Sequence, residues 1–172
     1  MDVMTRMERL ADIINATGGE VVGKKKLQKL IYLAQEKGLY LGYDFEYYSH
    51  GVFCADVEAD LRIAENFGVL SQEVTGEYGN PVRVSVVDKK ACPSKSVDAQ
   101  ELKGLKLVED LSKESARTLE VLSTIVYLTN AGYKGAIRDA HLKRLKGHLP
   151  EEFFTKAKDL YQKYFAAKEN NN

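Results

Sequence analysis

Apolar residues recur along the chain with two distinct periods, and the order in which those periods alternate predicts the fold. Residues 4–16 place Met7, Leu10, Ala11 and Ile14 at i, i+3, i+4 and i+7, the stripe of a helix that buries one face. Thr5 with Glu8 three residues later reads as its capping box, and Gly18 and Gly19 end it. A second helix is predicted over residues 24–37, with Leu27, Leu30, Ile31 and Ala34 on one face and Gly38 after it. The stretch YDFEYY (43–48) alternates as a short strand, and Ser49-His50-Gly51 turns the chain. A third helix follows over residues 55–67, burying Val57, Leu61 and Ala64, with Ile63 and Phe67 widening the stripe. Then the period shifts to two: Val82, Val84 and Val86 alternate with Arg83 and Ser85, and Gly76 to Pro81 supplies a turn.

Two helices joined by a short glycine-containing turn, a third helix and a hairpin form the element order of a winged helix. Beyond the polar connector 88–97, which contains Pro93, every remaining segment reads as helix. Asp98 caps a helix carrying Leu102, Leu105, Val108 and Leu111, and Ser115 caps one carrying Leu119, Leu122, Ile125 and Val126. The latter is also apolar at Val121, Tyr127 and Leu128, which predicts a central position. A short helix over residues 137–145 follows Gly132 and Gly135. Pro150 opens the last, where Phe153, Ala157, Leu160, Tyr161, Tyr164 and Phe165 form an aromatic stripe ahead of a frayed KENNN tail. The predicted class is mainly α with a small β-hairpin. A winged-helix-like part (1–88) is followed by a helical part (98–168) packed on it as one compact domain.

Length and composition agree with a folded chain: 172 residues, 44% hydrophobic and 29% charged. Basic and acidic residues cancel at 25 each, so attraction to nucleic acid or membrane must come from local patches. The charged start MDVMTRMERLADII is no signal peptide, and no apolar run approaches the ~18 residues of a membrane span, so the expected location is the cytoplasm. Cys54 and Cys92, without CxxC spacing, give no zinc or redox motif.

Candidate chemistry is sparse. Gly18 to Lys25 nearly spells the phosphate-binding loop G-x-x-x-x-G-K-[ST]. Lys25, however, stands where a hydroxyl must hold magnesium, and the preceding segment is helical. Lys24, Lys25 and Lys26 crowd a helix N-terminus, where the dipole disfavours cations, and this points to an anionic partner. The third helix sets Asp56, Glu58, Asp60 and Glu65 against Arg62 alone, a net charge of −3 that phosphates would repel. A second basic patch comprises Lys134, Arg138, Lys143, Arg144 and Lys146, flanked by His141 and His148, and it lacks interleaved aromatics. His50 and Cys54 share the aromatic loop Tyr47 to Cys54 but have no third member to orient them, so His50 reads as a structural loop residue. No acid/base pair can be assembled. The reading is non-enzymatic, with no cofactor and no metal implied.

Two segments resemble a known family. Lys26-Leu27-Gln28-Lys29-Leu30-Ile31-Tyr32 matches the K-L-Q-K-L-[LI]-Y helix of the Panacea (SocA-like antitoxin) superfamily, especially its YwgA-like bacterial and archaeal branch. Tyr47-Tyr48-Ser49-His50-Gly51-Val52-Phe53 matches that superfamily's [YF]-x-x-[YH]-G-[PV]-[FY] loop, with His50-Gly51-Val52 where the wider family has Tyr-Gly-Pro. The resemblance covers about residues 8–75. It implies a small cytosolic prokaryotic protein, mainly helical and non-catalytic, that acts as an antitoxin or adaptor by binding a partner. The expected function is therefore a protein-binding module of antitoxin, adaptor or regulatory type. Tyr47, Tyr48, His50 and Phe53 form its interface and Lys24, Lys25 and Lys26 steer an acidic partner such as a toxin. The alternative is a DNA-binding regulator touching phosphates through Lys24, Lys25, Lys26 and Arg83. Self-association is left open and no membrane partner is expected.

Overall fold

The computed structural model describes residues 1–76, 81–88 and 97–166. Cys92, Pro93, the tip of the wing and the KENNN tail lie outside the described residues. The first helix, α1 (Val3–Ala16), turns Met7, Leu10, Ile13 and Ile14 inward. Its cap is Asp2 and not Thr5: Thr5 N–H donates to Asp2 Oδ1 (3.0 Å), so the helix starts one turn earlier than the Thr5 reading has it. The predicted glycine turn after it holds a strand, β1 (Glu20–Val22), ahead of α2 (Lys24–Glu36). The predicted strand at 43–48 becomes a hairpin, β2 (Glu46–Tyr48) with β3 (Gly51–Phe53), followed by α3 (Ala55–Asn66). The wing strands are β4 (Leu70–Val74) and β5 (Val82–Val86).

β5 is the middle strand of a three-stranded antiparallel sheet ordered β1-β5-β4, with Val21 opposite Val84 and Leu70 opposite Val86. Alternation buries Val84 and Val86, and Leu70 and Val21 meet them from either side. The chain is mainly helical with a small antiparallel sheet, and the β2–β3 hairpin is inserted between α2 and α3.

The helical part comprises α4 (Ala99–Leu111), α5 (Ala116–Asn130), α6 (Gly135–Lys146) and α7 (Glu151–Tyr164). Asp98 and Glu101 form a reciprocal capping box on α4. Arg9 of α1 then grips Glu101 through Nε (3.1 Å) and Nη2 (2.9 Å), tying the first helix to the fourth in a buried fork. Three stripe positions are corrected. Phe67 and Leu102 face solvent, and on α7 Phe154, not Phe153, is the fully buried ring.

All eight residues from Leu27 to Ala34 on α2 are buried, because α1, α4, α5 and β3 surround that helix. α4 comes close enough for Gly104 to matter: a Cβ there would stand 2.6 Å from Leu39 Cβ and 2.8 Å from the Ala34 carbonyl oxygen. Gly104→Ala is therefore expected to destabilise by about 1–3 kcal/mol through overpacking. That loss comes in spite of alanine's advantage of roughly 1 kcal/mol as a helix former. Urea denaturation reads the sign, and a gain in stability would show that the α2–α4 spacing relaxes freely.

Candidate partner-binding hairpin

The β2–β3 hairpin is built so that its two faces have different neighbours. Tyr47 pairs with Val52 and both turn inward, whereas Tyr48, at 52% exposure, and Phe53, at 37%, turn outward. Their rings meet edge to face, with centroids 5.8 Å apart and planes at 88°. Tyr48 also donates its hydroxyl to Glu46 beside it, which raises the phenol's pKa. His50 lies exposed in the turn. The expected four-residue aromatic surface therefore reduces to Tyr48, Phe53 and His50, because Tyr47 belongs to the underside.

That underside rests on polar groups from three helices. Gln28 donates to the Cys54 carbonyl (3.0 Å) and accepts from the Cys54 N–H (3.1 Å), closing both backbone groups at the end of β3. Lys29 Nζ donates to the Val52 carbonyl (2.7 Å). From α6, Lys146 Nζ pairs with Glu120 Oε1 of α5 (2.6 Å), approaches the Ser49 carbonyl (3.5 Å) and sits 5.4 Å from the centroid of Tyr47. Tyr47 bonds Thr124 through its hydroxyl (3.2 Å) and packs on Tyr127 (centroids 5.3 Å). Gly51, at φ +91°, passes directly over this cluster. A Cβ there would lie 3.5 Å from Lys29 and 3.6 Å from Glu120, in a backbone region that glycine alone enters readily.

Lys146 is 0% exposed and Lys29 3%, so two buried ammonium groups lie near one half-buried carboxylate, which pairs with Lys146. Burial, with repulsion from Lys146 added and attraction from Glu120 opposing, pushes Lys29 down to about 8. Hydrogen bonds to backbone carbonyls and the Glu120 pair make such burial tolerable.

The other expected contacts are scattered. Lys24 pairs with Glu58 (2.8 Å) and Lys26 donates to the Ser112 carbonyl (2.6 Å), where burial lowers its pKa; Lys25 faces solvent. Arg83 lies across the sheet between Glu20 (3.5 Å) and Glu73 (3.7 Å). α3 is less acidic than its sequence, since Asp60 is buried against Arg6 Nε (2.6 Å) and the Tyr43 hydroxyl (2.9 Å). With Arg6 and Lys24 seated on it, four carboxylates face three cations. The basic patch is likewise divided: Lys146 is buried, Lys143 bridges to Glu151, and Arg138 stacks on Tyr161 (4.7 Å) while donating to Thr129 (3.1 Å). Sequence reasoning passed over Gln28, Lys29, Glu120 and Lys146 as a unit. The available signal was two adjacent polar residues, Gln28-Lys29, inside the otherwise largely apolar run 27–34 of α2.

Among the described residues no helix is long and apolar enough to cross a membrane. No protein-family model matches the chain. Over 115 residues it is 31% identical to the uncharacterised protein YwgA of Bacillus subtilis (strain 168), a stretch equal to 63% of this chain and 66% of that protein. The chain thus covers slightly less than two thirds of that relative's length, and what it is similar to, YwgA, brings no activity, ligand or partner with the similarity.

Proposed function

We propose that the protein is a non-catalytic protein-binding module of antitoxin or adaptor type, in keeping with its resemblance to the Panacea superfamily, and that it holds its partner through the β2–β3 hairpin. One observation carries the reading: an exposed Tyr48–Phe53 ring pair on a hairpin whose other face is locked by Gln28, Lys29 and Lys146. Aromatic anchors held rigidly in advance lose little freedom on binding, and they dominate interface energetics. The DNA-binding alternative draws on the winged-helix order and the reduced acidity of α3. It has fewer free cations to work with, because Lys24 and Lys26 already serve intrachain contacts.

The test is affinity capture from a nuclease-treated lysate of the source organism at low and high salt. One stoichiometric protein retained at both salts is the expected result. Tyr48→Ala with Phe53→Ala should reduce that capture by roughly 500-fold or more, at about 2 kcal/mol for each of the two anchors, with an unchanged urea midpoint because both rings face solvent. Retention of nucleic acid alone, at low salt and without nuclease, moves the assignment to DNA.

A further inference from the structure

Beside the hairpin, on the side of the chain leading into β2, lies a cleft of about 330 Å³ that the proposed interface does not use. Its wall is aromatic: Tyr32 from α2, Phe45 from the segment before β2, and Tyr127 from α5. Tyr32 and Phe45 meet edge to face, with centroids 5.3 Å apart and planes at 65°. Glu36 and Asp44 supply carboxylates at the same cleft, and Asn130 holds Glu36 in place by donating Nδ2 to Oε2 (2.7 Å). The wall is set in advance, because Gln35 clamps the Tyr43 backbone from both sides, donating to its carbonyl (2.8 Å) and accepting from its N–H (3.1 Å).

Ring faces carry negative charge density, and two carboxylates add full charges, so the cleft is complementary to a cation. Of the four rings that line the cleft, Tyr43 already carries Arg6, and among the described residues no cation of the chain stacks on Tyr32, Phe45 or Tyr127; Lys146 stacks on Tyr47 and Arg138 on Tyr161, outside the cleft. The protein also contains an internal example of the occupied form. Arg6 lies 5.8 Å from the Tyr43 centroid while its Nε bonds Asp60, a guanidinium between a ring and a carboxylate.

We infer that this cleft receives the guanidinium of an arginine side chain from a partner protein, its flat face against Phe45 and Tyr127 and its N–H groups on Glu36 and Asp44. A planar fork fits ring walls and carboxylates together, whereas an ammonium is a strongly hydrated point charge that satisfies only the carboxylates.

The experiment needs no partner, so its failure leaves the hairpin assignment standing, and failure of the capture experiment leaves this one standing. N-acetyl-arginine methylamide is titrated into 15N-labelled protein, and backbone amide shifts are followed beside the lysine and citrulline analogues. The expected result is saturable shifts centred on Glu36, Phe45, Tyr127 and Asn130, with a dissociation constant on the order of 1–10 mM for so small a ligand. Lysine should bind about 3-fold more weakly or worse, and citrulline, the neutral isostere, should leave the cleft unmoved. Glu36→Gln with Asp44→Asn should weaken arginine binding by about 10-fold, with the rest of the spectrum confirming an intact fold. Phe45→Leu, which keeps both carboxylates, should remove the preference for arginine over lysine. Absence of saturable shifts at these residues, equal response to citrulline, or shifts unaffected by the variants would each overturn the inference.

Discussion

Glu120→Gln is expected to destabilise the protein by about 3 kcal/mol, the low end of the range for breaking a buried ion pair from one side, because Lys146 is buried while Glu120 keeps some contact with solvent. The substitution leaves the amide in the same space but strips the carboxylate that, among the described residues, is the one paired with Lys146, with Lys29 beside it. Lys146→Met should cost much less, because Glu120 retains Lys29 as an electrostatic neighbour and the methionine fills the same channel beneath Gly51. The two changes together should recover part of the Glu120→Gln loss, since the stranded cation is gone. A double-mutant cycle in urea reads the coupling directly. Equal single losses that add would mean that the ion pair is solvated in practice and that the hairpin does not depend on it.

Lys29 makes stability depend on alkaline pH, with an unusual sign. Unfolded, the ammonium titrates near the ordinary 10.5; in the folded chain burial holds it at about 8. Between these values the unfolded chain binds more protons than the folded one, so stability rises with pH across that window and falls as pH drops from 10.5 toward 8. The full swing is roughly 3 kcal/mol at about 1.4 kcal/mol per unit. Below pH 8 both states are protonated and the cost of the buried charge is constant. Other groups titrate in this range, so the quantity to measure is the difference between wild type and Lys29→Met at a series of pH values from 7 to 10. That difference should move steadily in favour of wild type as pH rises. A flat difference would place the Lys29 ammonium in contact with water.

The contrast between these two predictions and the readable parts of the sequence shows where local patterning ends. Period-3.6 stripes located every helix because a helix that buries one face writes that face into neighbouring residues, and Asp98 and Ser115 marked their helix starts through side chains one turn away. β1 escaped because three residues are too short for a period, and what makes Glu20–Val22 a strand is β5, more than sixty positions later. Phe153 and Phe154 are adjacent, so only the docking of α7 on α5 decides which ring is buried. The candidate site divides in the same way. The aromatic loop was legible as a cluster, but which of the adjacent Tyr47 and Tyr48 faces outward is decided by the β2–β3 register, and the sequence reading placed both at the surface. The inward course of Lys29 and Lys146 was not legible, since a lysine in a sequence reads as surface until a carbonyl or carboxylate from another element is placed at its end. The lysine run 24–26 shows the converse: it looked free because Glu58 and Ser112 are remote in sequence.

The burial of α2 on every side bears on how the chain can be made and divided. Its cover comes from both ends of the sequence, α1 before it and α4 and α5 after it, with α5 ending only at Asn130. A ribosome that has released the wing has therefore produced all three sheet strands and the first three helices while α2 still lacks the cover that α4 and α5 give it. The nascent chain must wait in that sticky state, or be sheltered, until the later helices emerge. The boundary suggested by motif order is for the same reason a poor place to cut: a fragment ending at residue 88 would carry the hairpin with only Gln28 and Lys29 beneath it, having left Glu120, Thr124, Tyr127 and Lys146 behind.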